Sequence, residues 1–212
     1  MLEKYLKKIQ ELVDSLESIS TISVNTVEIG SPATPEQLDT ARWYAELKLP
    51  QGVEEFYKEL NGFHLEWEAK EPFAPNQSPD RGSIQLLPIE RIFGSWKGTT
   101  WFDEFEGGER FKEVKPFDLF QPEACAAFSQ KPDKAPQNEV YFHYFGEDLC
   151  ATGYDFSEYL DRLIAARGYL YWQLSLCPDT QSNSEVHQFQ ERMPVLFPDF
   201  NPKAFVPGTP HS

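Results

Sequence analysis

At 212 residues with 40% hydrophobic and 15% aromatic side chains, including 17 Phe, the chain can bury a real core and is neither disordered nor collagen-like. Its 34 acidic against 19 basic residues give a net charge of -15, which argues against nucleic acid or a membrane surface as partner and is compatible with solubility and with a basic protein partner. Cys125, Cys150 and Cys177 are odd in number, far apart and without Cys-x-x-Cys or a histidine cluster, which argues against both a disulfide framework and a zinc site.

Residues 1–12 mix lysines and glutamate with apolar residues and contain no signal-peptide core, and no window approaches the roughly 20 apolar residues of a membrane span, so the expected location is the cytoplasm. Leu2, Tyr5, Leu6, Ile9, Leu12, Val13 and Leu16 recur at helical spacing and predict an amphipathic helix over 2–18 that docks on its own domain. Residues 22–29 alternate, are rich in β-branched side chains and predict a short edge strand. Thr34-Pro35-Glu36-Gln37 predicts a capping-box helix start running to about residue 47. Pro50 then opens a second helix with Val53, Phe56, Tyr57 and Leu60 on one face, closed by left-handed Asn61-Gly62.

Phe63, Leu65 and Trp67 alternate with His64, Glu66 and Glu68, as in a strand with one wet face. A proline-rich loop over 71–82, a strand from Ile84 to Leu87 and one helical turn after Pro88 follow. Trp101, Phe102, Asp103, Glu104, Phe105 and Glu106 interleave aromatics with acids before Gly107-Gly108, the pattern of either a packed cover over the sheet or a recognition surface. Residues 111–120 read as a strand and 122–130 as a short helix or turn. Residues 140–145 and 149–152 read as a β-hairpin, hence an antiparallel sheet. Asp155-x-x-Glu158 caps a helix with Phe156, Leu160, Leu163 and Ile164 inward, ended by Gly168. Beyond Pro178 a short helix over 185–193 is followed by an extended, proline-rich stretch, which either wraps across the domain with Leu196, Phe197, Phe200 and Phe205 or serves as a tail for another protein.

Catalytic motifs are missing. His64, His143, His187 and His211 are scattered without metal spacing, and His143 is expected to be exposed or lightly packed. Gly107-Gly108 lacks the lysine and hydroxyl of a phosphate loop, and Ser157 reads as a first-turn helix residue and not as a nucleophile. No two of the many carboxylates stand out as an acid/base pair, so neither an enzyme, a cofactor nor a metal is expected.

Four segments carry a family likeness: the helix over 49–63 with its Leu49-Pro50 and Asn61-Gly62 ends, residues 84–92 with the Leu87-Pro88-Ile89 turn, Pro116-Phe117-Asp118, and the strand, hairpin and helix over 138–168. In order and spacing they resemble the SUKH superfamily, in the branch that includes the fungal cell-wall glucan synthesis regulator and many bacterial immunity proteins. The resemblance spans roughly residues 36–172. It implies an α+β fold, a mixed and mostly antiparallel sheet flanked by helices; the expected organisation is a single domain over 1–178, and the polar, proline-rich extension over 179–212, read from the composition shift after Pro178, departs from a minimal member of the family. It also implies a non-catalytic protein-binding module, foremost an immunity protein that neutralises a toxin, with a regulatory scaffold as alternative; the acidity of the chain fits a basic, nuclease-type toxin domain, and the abundance of carboxylates leaves a small-molecule enzyme as the second alternative. Trp101, Phe102, Asp103, Glu104, Phe105 and Glu106 are the expected contact residues, as aromatic anchors in an acidic rim.

Overall fold

The computed structural model describes residues 4–104 and 107–209. Helix α1 (Lys4–Glu17) buries Tyr5, Ile9, Leu12, Val13 and Leu16, the stripe its spacing predicts. Its first-turn amides at Tyr5 and Leu6 donate to Glu59 Oε2 at 2.7 and 3.0 Å, a cap supplied from a distant part of the chain. After strand β1 (Ile22–Ile29) comes α2 (Pro35–Tyr44), whose Thr34 and Gln37 form the predicted capping box. It ends earlier than the sequence predicts, in left-handed Glu46 and Leu47. Helix α3 (Val53–Tyr57) likewise starts after Pro50, because Gly52 is left-handed with φ +83°, and a Cβ there would strike the Ser157 hydroxyl. Of Asn61 and Gly62, only the glycine has positive φ; Asn61 accepts from the Ile89 amide instead.

Strands β2 (Phe63–Ala69) and β3 (Arg81–Leu86) lead into the single turn α4 (Ile89–Ile92). Strands β4 (Val114–Gln121), β5 (Ala124–Ser129), β6 (Glu139–Tyr144) and β7 (Cys150–Asp155) follow, then α5 (Phe156–Ala165) and α6 (Ser184–Leu196). All seven strands lie in one sheet in chain order, every neighbouring pair antiparallel, so the fold is a single α+β domain around a meander. The segment expected to be a short helix or turn over 122–130 is instead β5, an inner strand. Its alanines suit a helix by intrinsic propensity, but tertiary packing prevails: both faces of β5 are covered, every residue is buried, and small side chains leave room for the layers above and below.

One face of the sheet carries the main core. Phe63, Leu65, Trp67, Ile84, Leu86, Phe117, Phe128 and Val140 pack there with α1, α3 and α5. Phe117 stands 4.7 Å from Phe128 and 5.3 Å from both Phe156 and Tyr159, ring centre to ring centre.

The chain beyond Pro178 wraps across the domain. Phe189, Met193, Phe197 and Phe205 are buried, with Phe197 edge-on to Trp67 and Phe205 edge-on to Trp172. The Gly208 amide donates to Thr152 O at 2.9 Å beside β7. A Cβ on either Gly153 or Gly208 would strike the other's backbone, so two glycines permit this approach. Asp80 and Arg192, both buried and 2.8 Å apart, tie α6 to the loop before β3. Contrary to the sequence expectation, Cys150 and Cys177 form a disulfide that joins β7 to the chain entering this wrap; the fold brings their Cα atoms to 6.0 Å across 27 residues. Cys125 stays free and buried.

Candidate functional site

The second face of the sheet is divided. Over β4 to β6 it is roofed by residues 97–104 and 107–113. Phe111 packs on Val114, Cys125 and Ala127, and Trp101, Leu119, Phe145 and Leu149 complete the cluster. Over β1 to β3 the same face lies open. Alternation places Ser23, Thr26 and Glu28 beside Glu68, Glu66 and His64, and these beside Arg81, Ser83 and Gln85. Glu28, Glu66 and Glu68 are exposed, Thr26 donates to Glu66 at 3.1 Å, and His64 lies between Glu28 and Glu66 at 4.0 and 3.5 Å. A groove of about 380 Å³ follows the boundary of the two regions, with His64, Glu66, Ser83 and Gln85 on one bank and Thr99, Leu119 and Phe145 on the other.

Trp101, the first of the six expected contact residues, is half-buried and is the anchor of the roof. Lys97 and Lys112 place their ammonium groups 5.6 and 4.7 Å from its ring centre. Phe102 is exposed at 37%, Asp103 pairs with Lys97, and Glu104 is exposed. The Asp103 carboxylate raises the Lys97 pKa. Phe105 and Glu106 lie outside the described residues. Of the four described positions, Trp101 thus packs as part of the cover, while Phe102, Asp103 and Glu104 face solvent.

His143 differs from expectation. It is fully buried, tucked under the roof with ring centres 5.2 Å from Phe111 and 5.5 Å from Phe145. Burial pulls its pKa down to about 4. Sequence alternation correctly puts it on the face opposite Phe142, but only the roof makes that face dry. Among the described residues no group of three His, Cys, Asp or Glu is arranged to hold a metal.

Asp118 was not singled out as a functional group by its sequence context, yet it is fully buried. Its carboxylate accepts from the Gln85 amide at 2.9 Å and from the Tyr159 hydroxyl at 2.9 Å. Burial raises its pKa to about 6 against the pull of those two donors. Strands β3 and β4 share a single register pair, Leu86 with Asp118, so this side chain supplies a bond that the ladder itself lacks. It is a joint of the sheet, sealed from solvent and out of reach of a substrate.

No protein-family model matches the chain, and no curated protein is similar to it in sequence. Among the described residues no helix is long and apolar enough to cross a membrane.

Proposed function

We propose that the protein is a non-catalytic binding module of SUKH type whose open, acidic sheet face and adjoining roof receive a basic protein partner, foremost a toxin domain of nuclease type that it neutralises. The observation that carries this reading is the division of the outer face: Glu28, Glu66 and Glu68 stand exposed on one side of the groove and Asp103 and Glu104 on the roof, in a chain of net charge -15. A nuclease site is built to hold phosphate, and carboxylates on a rigid sheet occupy such a site by charge complementarity. Exposed Phe102 beside half-buried Trp101 supplies apolar contact within that rim.

The cytoplasm remains the proposed location.

The test is affinity capture with the tagged protein from its own organism at low and high salt, comparing wild type with Glu66→Lys/Glu68→Lys and with Asp103→Lys/Glu104→Lys/Glu106→Lys. A single basic partner with a toxin domain, released by salt and lost in both variants at unchanged thermal stability, is the expected result. Capture of the same partner by both variants would overturn the reading, and several housekeeping partners would favour a regulatory scaffold.

A further inference from the structure

The two edges of the sheet are treated differently. The edge at β7 is approached by the chain's own C-terminal segment, through the bond from Gly208 to Thr152. The edge at β1 has no such cover among the described residues. The Gly30 amide donates to Gly62 O at 2.9 Å, which fixes the parity of the ladder beyond the bulge at Asn25. Thr26, Glu28 and Gly30 bond inward to β2, and the N–H and C=O of Val27 and Ile29 therefore point outward. No main-chain or side-chain partner among the described residues reaches them. Their side chains, opposite Leu65 and Phe63, are exposed at 39 and 37%. Unpaired backbone groups and partly exposed apolar side chains thus coincide on one short stretch.

We propose that residues 26–29 are a strand-addition site, where an extended segment of the basic partner pairs antiparallel with β1 and continues the sheet. This rests on the reading of a basic protein partner given above. The required sequence follows from alternation. Residues directly opposite on neighbouring strands share a face, so the incoming residues that exchange hydrogen bonds with Val27 and Ile29 cover those two side chains and are apolar. Those between them lie beside Thr26 and Glu28, on the face that carries Glu66 and Glu68, and are basic. Charge selects the occupant. A second copy of this chain would set its own Glu28, Glu66 and Glu68 against these, at net charge -15 on each copy, whereas a Lys-and-Val alternation meets both the apolar and the acidic rows.

The probe is a blocked eight-residue peptide alternating Lys and Val, added to the isotopically labelled full chain and followed by amide NMR. Binding is expected to slow hydrogen exchange at Val27 and Ile29. Methylating the Val amides of the peptide should weaken binding at least tenfold, while methylating its Lys amides, which point away from β1, should not. A Glu-and-Val peptide should not bind. Val27→Pro removes only an outward donor and leaves the ladder to β2 intact, so it should also weaken binding at least tenfold. The methylated peptides test the same contact without altering the protein, should that variant fold poorly. Unprotected Val27 and Ile29, or indifference to Val-amide methylation, would overturn the edge site. Shifts confined to Glu66 and Glu68 would do so while leaving the basic-partner reading standing. A dimer of the free chain that Val27→Pro dissociates, with no peptide binding, would assign the edge to a second copy and overturn the proposal.

Discussion

The strands β1 to β3 and β4 to β7 belong to one antiparallel meander, but they meet different surroundings. On β2 and β3 one face is dry and the other is wet, and the side chains alternate accordingly, with Phe63, Leu65 and Trp67 inward and His64, Glu66 and Glu68 outward. On the inner strands of the second group both faces are covered, and alternation of polarity disappears: β5 is wholly buried, and β6 carries a histidine where a wet face would be expected. The two regions are joined at β3 and β4 by one register pair reinforced by the Asp118 carboxylate. Polar residues on the first region face solvent; on the second they are confined, and their ionisation becomes a matter of stability.

That contrast can be broken most severely in the covered region. Phe117→Ala should cost about 3–5 kcal/mol in urea denaturation, because the ring touches Phe128, Phe156 and Tyr159 in a site with no room to collapse. The joint should show itself through pH. Asp118 has a folded pKa of about 6 against an ordinary 3.8, so the fold favours its protonated form. This contribution is fully present below pH 3.8 and is lost as pH rises through about 6, amounting to about 3 kcal/mol. Asp118→Asn should flatten that part of the stability profile, and an unchanged profile would show that the joint stays ionised.

His143 has the opposite sign. Its folded pKa near 4, below the ordinary 6.5, gives stability that is complete above pH 6.5 and is lost as pH falls through about 4. Wild type should lose about 2 kcal/mol by pH 5 relative to His143→Leu, measured as the difference between their pH profiles in chemical denaturation. If the two profiles run parallel, the roof admits water. The smallest effect is expected on the open region: Glu66→Lys/Glu68→Lys should move stability by less than about 0.5 kcal/mol while removing partner binding. A large loss of stability there would mean that the open face is structural and would erase the distinction between the two regions.

Local chemistry made much of this fold legible. The capping boxes at Thr34 and Asp155, the hairpin of β6 and β7 and the alternation in β2 depend on residues close in sequence, where propensity and hydrogen bonding act without help from the rest of the chain. The miss at β5 has the converse cause: Ala124, Cys125, Ala126 and Ala127 have no strand signal of their own, and their conformation is imposed by two neighbouring strands and two covering layers. The acids and rings of the segment 101–104 were visible, but the acidic row formed by Glu28, Glu66 and Glu68 was not, because it unites two strands that are paired across some forty positions of sequence.

The sequence by itself determined that this is an acidic, aromatic-rich α+β chain with capped helices, a hairpin and a strand with one wet face, since these follow from composition and from periods of two and 3.6 residues. Only the tertiary structure decided which face stays wet, that His143 is dry, that Asp118 closes the joint, that Cys150 meets Cys177, and that the edge of β1 is left uncovered by the described residues while the C-terminal wrap reaches β7. Each of these depends on surfaces brought together from distant parts of the chain, where burial and pairing outweigh what any short segment prefers by itself.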